Sequence, residues 1–295
     1  MPSTAALYGF EFTRSFSAGG LSFAPIETQH PTSRELARNL LVHNLTGTVS
    51  APLLSPMKRF HLEGVLSFIE HLEVLVSEPV DNVHAVEAPD RYFEVKSALR
   101  PRHNGGGAVI GSDALSPQQD SRRQFIELAL GHLDDTAFCE RTRFHSLLFK
   151  CVETFRQRQP FLEISYFLLI SGLEAFSRAV QNDYKTRNAA EPISRALEGY
   201  GFKVCENNPN DLPRSISTYL HIRNALFHQG DYSAKVQMDQ SQVILDCSEY
   251  LFHLSMLVSL TVMKAIGFDD DHTNWDCWID RQLLRETLNK SQSLR

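Results

Sequence analysis

From Ser121 onward, apolar residues recur every three or four positions while glycine and proline become sparse. That period predicts helices near 121–134, 138–158, 161–183, 189–200, 211–229, 238–266 and 275–291. In the Phe161 helix, Ile164, Phe167, Leu168, Ile170, Leu173, Phe176 and Val180 cover most of the circumference, the pattern of a central helix. Val243 to Ile266 reads the same way. Antiparallel helices of this length on short loops predict a bundle.

The first 120 residues have a different texture. Phe10, Phe12 and Phe16 are spaced for a strand, and Ala18-Gly19-Gly20 is a turn signal before Leu21-Ser22-Phe23, which together predict a β-hairpin. Thr32-Ser33-x-Glu35 opens a short helix with capping residues, and Asn44 to Ser50 reads as another strand. Leu62 to Val76 is helical, with Leu62, Val65, Leu66, Ile69 and Leu72 on one face, and Pro79 ends it. Arg91 to Ala98 alternates as a strand. Residues 100–120 hold Pro101, Gly105-Gly106-Gly107, Gly111 and Pro117, the strongest signal in the chain for a linker or long loop. The expected fold class is therefore α+β overall: a smaller mixed strand and helix domain at 1–120, then an all-α helical bundle at 121–295.

Composition narrows the function classes. A chain of 295 residues, 42% hydrophobic and 22% charged, builds a core. Its most apolar run, Phe161 to Val180, is broken by Glu163, Ser165, Glu174 and Arg178, so no membrane span is expected. The N-terminus lacks a basic region followed by a long apolar one, so no secretory signal is expected either, and the expected location is cytoplasmic. Five scattered cysteines with no C-x-x-C pair read as reduced, packed thiols. The net charge of −6 confines any nucleic-acid contact to a local patch.

One segment concentrates chemistry. Asp211 reads as an N-cap with Pro213 early in the helix, and Gly230 as its stop. Ile216, Tyr219, Leu220, Ile222 and Leu226 face a core, while Arg214, Ser217, His221, Asn224 and His228 form another stripe with Arg223 one position round. The last two turns thus gather His221, Arg223, Asn224 and His228. An imidazole exchanges protons at neutral pH, and a guanidinium fork matches phosphate oxygens. Asparagine holds a phosphate or orients the imidazole. The final turn of a helix favours positive charge, and His228 lies there. Without a metal, these groups suit attack of an RNA 2′-hydroxyl on its own phosphate. One His228 supplies only one of the acid and base wanted; a symmetric homodimer supplies both, and His221 is the other candidate for a second group. Solvated residues on a helix face are the plain alternative.

The stretch Arg223-Asn224-Ala225-Leu226-Phe227-His228 resembles the R-x(4–6)-H motif of the HEPN superfamily, which commonly carries asparagine after the arginine. The helix around Ser165 to Phe176 is similar to the HEPN helix that ends in an apolar-x-Glu-apolar pattern. The resemblance covers about 121–290 and is most similar to the HEPN domains of Apea-like abortive-infection proteins. It implies a metal-independent endoribonuclease, without cofactor, that dimerises through the bundle. Arg223 and His228 would be catalytic, with Asn224 as polar supporter and Glu174 orienting the motif. A defence or toxin role follows from the same resemblance, with an antitoxin or phage-derived trigger as partner.

Arg141, Arg143 and Lys150 on the expected 138–158 helix offer a local RNA-binding strip, or an ordinary solvated face. Gly105-Gly106-Gly107 lacks the Gly-Lys-Ser/Thr and the strand–helix frame of a phosphate loop. Asp269-Asp270-Asp271-His272 reads as a charged loop before the last helix, and His61 and His71 stand too far apart to share an ion, so no metal site is expected. Trp275 and Trp278 are expected to anchor the final helix. The rival function is a non-catalytic helical module that uses the same flank to bind a protein partner or a nucleotide.

Overall fold

A computed structural model describes residues 3–79, 101–115, 118–157, 159–238 and 241–284. The chain opens with β1 (Ser3–Tyr8), β2 (Phe16–Ala18) and β3 (Leu21–Pro25), followed by α1 (His30–Ala37), β4 (Leu45–Ala51), α2 (Pro56–Glu70) and β5 (Leu75–Val76). The five strands form one antiparallel sheet in the order β2-β3-β4-β1-β5. Gly19 and Gly20 take left-handed φ values of 58° and 71° at the β2–β3 turn, a conformation that costs other residues a Cβ clash. Phe10 and Phe12 are buried, but the backbone there is irregular rather than strand, because it leaves the sheet after Tyr8.

The second half contains α3 (Ser121–Asp134), α4 (Thr136–Thr142), α5 (Phe144–Arg156), α6 (Leu162–Gln181), α7 (Ala190–Gly199), α8 (Ile216–Gln229), the hairpin β6 (Ser233–Met238) and β7 (Ser241–Asp246), then α9 (Cys247–Ala265) and α10 (Cys277–Asp280). The protein is thus mixed α+β. Its second half is not all-α as expected, because β6 and β7 occupy what periodicity reads as the start of a helix at 238. The expected 138–158 helix is two helices, broken where Arg143 adopts φ 61°. The expected 275–291 helix is the single turn α10 among the described residues, and 285–291 lies outside them. The expected strand 91–98 also lies outside. The helix expected over 62–76 ends at Glu70 with His71 left-handed at φ 49°, so Pro79 does not end it, and Leu75–Val76 joins the sheet instead.

α2 is buried along both sides from His61 to Glu70 and packs against α3 and α5. Gly64 permits this closeness, since a Cβ there would stand 2.5 Å from the Phe149 ring. One hydrophobic core runs from Ala5 and Leu7 through Leu66 and Phe125 to Leu257 and Trp278, and it continues across residue 120. Residues 101–115 form a long loop packed on that core, with Arg102, Ile110 and Asp113 buried. Asp113 accepts from Thr13 N and Arg14 N at 2.9 and 3.1 Å. Fully buried Glu70 accepts from Arg122 Nη1 at 2.6 Å, Arg38 Nη1 at 3.3 Å and Glu11 N at 3.0 Å. Removing Arg122, the buried and shorter partner, would leave Glu70 only the longer Arg38 contact and one backbone N–H, a loss approaching the roughly 3–5 kcal/mol of a broken buried pair. Trp278 is fully buried and Trp275 packs against the core, with Lys264 Nζ 3.8 Å from the Trp275 ring centre. Among the described residues no helix is long and apolar enough to cross a membrane.

Candidate functional site

The motif helix α8 starts at Ser215, its N-cap, rather than at Asp211. Arg214 therefore precedes the helix; it pairs with Asp276 at 3.2 Å, over the Trp278 ring, and is not part of the polar stripe. Ile216, Tyr219, Leu220 and Ile222 are buried, and Leu226 is partly buried against the core. Two hydroxyls fix the helix in place: Tyr166 donates to Tyr219 O at 3.0 Å, and Tyr219 donates to Pro213 O at 2.6 Å. Burial pushes the Tyr166 phenol well above its ordinary range, so it stays a donor. Gly230 ends the helix at φ 71°, its N–H returning to Ala225 O.

This anchoring leaves one flank outward. His221, Asn224 and His228 are exposed, and Arg223 is half-buried. Arg223 Nη1 donates to Glu174 Oε2 at 3.1 Å, and its Nε donates to Asn224 Oδ1 at 3.1 Å. Glu174, on α6, also accepts from Arg178 Nε at 2.9 Å. Arg178 is itself held by the carbonyls of Asp183 and Thr186, at 3.3 and 2.9 Å. The structure therefore brings Arg223, Asn224 and Glu174 together and adds Arg178, which the sequence reading did not single out. Its signal was the four-residue spacing from Glu174.

The three expected RNA-binding cations do not share one helix face. Arg141 is exposed on α4 beside the Phe138 ring, Arg143 is the left-handed junction, and Lys150 lies on α5. Lys150 Nζ donates to Ser171 Oγ at 3.0 Å, and desolvation lowers its pKa. Lys150 thus reaches α6, the helix that carries Glu174.

α6 is less enclosed than its apolar circumference suggests. Ile164 and Phe167 are 46% and 43% exposed, so among the described residues one stripe of the helix stays only partly covered. Phe227 of α8, 48% exposed, lies against Phe167 with ring centres 4.8 Å apart and planes tilted by 46°. Neither ring was a site expectation, because a period of 3.6 marks which positions are apolar and not which stripe stays uncovered. A separate pocket of about 380 Å³ lies between His103, Phe155, Leu162, Ser165, Phe252 and Ser255, and no motif residue lines it.

Among the described residues, no three His, Cys, Asp or Glu side chains gather as a metal-binding group. His61 instead approaches Asp134 at 3.8 Å, and Asp270 accepts from Thr273 N and Oγ1 at 2.8 Å. The arrangement around Arg223 offers a positioned guanidinium, an amide and solvent-facing imidazoles on one helix flank, the groups that phosphate recognition and proton transfer require. Compared with known proteins, the chain matches no family model, no curated protein and no solved structure.

Proposed function

We propose that the chain is a metal-independent, HEPN-type endoribonuclease whose active site forms where two copies of α8 face each other. The observation that carries this reading is the Arg223–Glu174 contact at 3.1 Å, with Asn224 hydrogen-bonded to the same guanidinium and His228 exposed further along the same helix. A buried structural ion pair would enclose all its members; this one leaves the outer side of the guanidinium and the neighbouring polar groups in solvent. In the proposed reaction one His228 takes the proton from an RNA 2′-hydroxyl. The 2′-oxygen bonds to the adjacent phosphorus, and Arg223 balances charge on the pentacoordinate phosphate. The bond to the 5′-oxygen breaks, and the second copy's His228 returns a proton to that leaving oxygen. The products are a 2′,3′-cyclic phosphate and a 5′-hydroxyl. DNA lacks the nucleophile and is not cut. Unrestrained cleavage of this kind in the cytoplasm suits a toxin or anti-phage effector, held back by an antitoxin or released by a phage-derived trigger.

The test is incubation of the purified protein with mixed RNA in EDTA, with and without His228→Ala. The parent is expected to cut and to leave cyclic phosphate ends. The variant is expected to keep its circular dichroism and lose cleavage. If it cuts as fast as the parent, the assignment is wrong. Inertness of the parent, also after addition of infected-cell extract, favours the non-catalytic interaction module.

A further inference from the structure

We propose that the Phe167–Phe227 ring pair is a stacking platform for an unpaired nucleobase, which directs the site to single-stranded RNA; this rests on the RNA-cleaving reading of the same flank. Both rings are nearly half exposed, and their mutual contact at 4.8 Å holds them in place while leaving surface open. Phe227 stands four residues after Arg223, so the two side chains neighbour each other on one face of α8. A base on the ring pair would therefore hang from backbone within reach of the guanidinium.

Cations are anchored along the helix that carries Phe167. Lys150, Arg178 and Arg223 converge on α6, through Ser171 and Glu174. Carboxylates lie here too: Glu174 is shared by two guanidiniums, and Glu163 is hydrogen-bonded by the Tyr232 hydroxyl. An apolar protein helix would have no use for Arg223 beside the rings, whereas a strand of phosphates carrying π-faced bases matches both the guanidinium and the ring pair. Bases in an A-form duplex are stacked on one another and offer no free face.

The experiment is fluorescence anisotropy of a short labelled oligoribonucleotide, single-stranded or annealed, in EDTA. It uses the full chain carrying His228→Ala, so that nothing is cut. Added Phe227→Ala or Phe167→Ala is expected to weaken single-strand binding roughly 5- to 100-fold. Phe227→Trp is expected to retain it, and Phe227→Leu, apolar but without a ring, to lose most of it. Duplex binding is expected to be weaker and indifferent to all four. The platform is overturned if the His228→Ala parent does not bind single strands, if the leucine variant binds like that parent, or if duplex binding falls equally. It is also overturned if sedimentation shows that the ring variants lose a dimer while the remaining chain binds as before, which would assign the rings to a second copy. Cleavage by the His228-bearing chain is scored separately. Cutting that ignores both rings sinks the platform alone, and ring-dependent binding without any cutting sinks the nuclease reading alone.

Discussion

Lowering the pH from 7.5 to 5 is expected to destabilise this protein through one imidazole, that of His71. The residue caps α2, is 1% exposed, and stacks on Phe155 with ring centres 4.1 Å apart. Its Nε2 lies 3.4 Å from Ser259 Oγ on α9. Burial holds its pKa down at about 3, helped by the Arg38 guanidinium and opposed by an interaction with the Gly105 backbone. In the unfolded chain an imidazole titrates near 6.5. The folded value is the lower one, so the stabilising effect is complete above 6.5 and is lost as pH falls towards 3. Each unit of that window costs about 1.4 kcal/mol. At pH 5 the unfolded chain is protonated and the folded chain is not, a difference of about 2 kcal/mol from pH 7.5. The assay is urea denaturation followed by circular dichroism at both pH values. The control is His71→Asn, which tolerates the left-handed backbone and carries no titrating ring. The wild type should lose about 2 kcal/mol more than the variant between the two pH values. Equal losses would refute the reasoning, because other groups would then account for the whole pH response.

Two further outcomes test the site and the scaffold. Glu174→Gln removes the charge that fixes Arg223, and since the pair is partly solvated the expected loss in kcat for RNA cleavage is roughly five-fold, equivalent to about 1 kcal/mol, with KM little changed; steady-state kinetics beside Arg178→Ala, expected to act in the same direction, checks it. Arg143→Gly relieves a left-handed residue between α4 and α5 and is expected to raise stability by about 0.5–1 kcal/mol in the same denaturation assay, while any loss of RNA affinity would identify Arg143 as a contact.

Much of the helical half is legible in the sequence where one apolar face recurs undisturbed: α3 spans the expected residues, and α6 and α7 fall within two residues of theirs. The β2–β3 hairpin is legible from its paired glycines. The breaks are harder, because they rest on backbone angles that residue type does not announce. Arg143 and His71 take left-handed conformations without being glycine or asparagine, so the helical period in the sequence runs on through them. The β6–β7 hairpin is masked by composition. Ala234 and Val236, then Val243 and Leu245, do alternate inward, but over strands of only six residues, and the apolar α9 that follows extends the helical reading backwards. At the site, spacing alone gathers His221, Asn224 and His228 on one flank. Glu174 came only from the resemblance, and its partnership with Arg178 and Arg223 depends on how α6 and α8 cross. That Phe167 and Phe227 meet in the open is a tertiary fact with no local signature.

The shared carboxylate of Glu174 has a reach beyond its own helix. Its second guanidinium is moored to the peptide oxygens of 183 and 186, and Asp183 is in turn tethered to Arg195 on α7 at 2.5 Å. The aim of Arg223 is thereby inherited from a surface turn distant in sequence and never in line with a substrate. Variation drifting into that turn would retune the proposed nuclease from behind, altering turnover while every residue proposed to meet the nucleic acid stays the same.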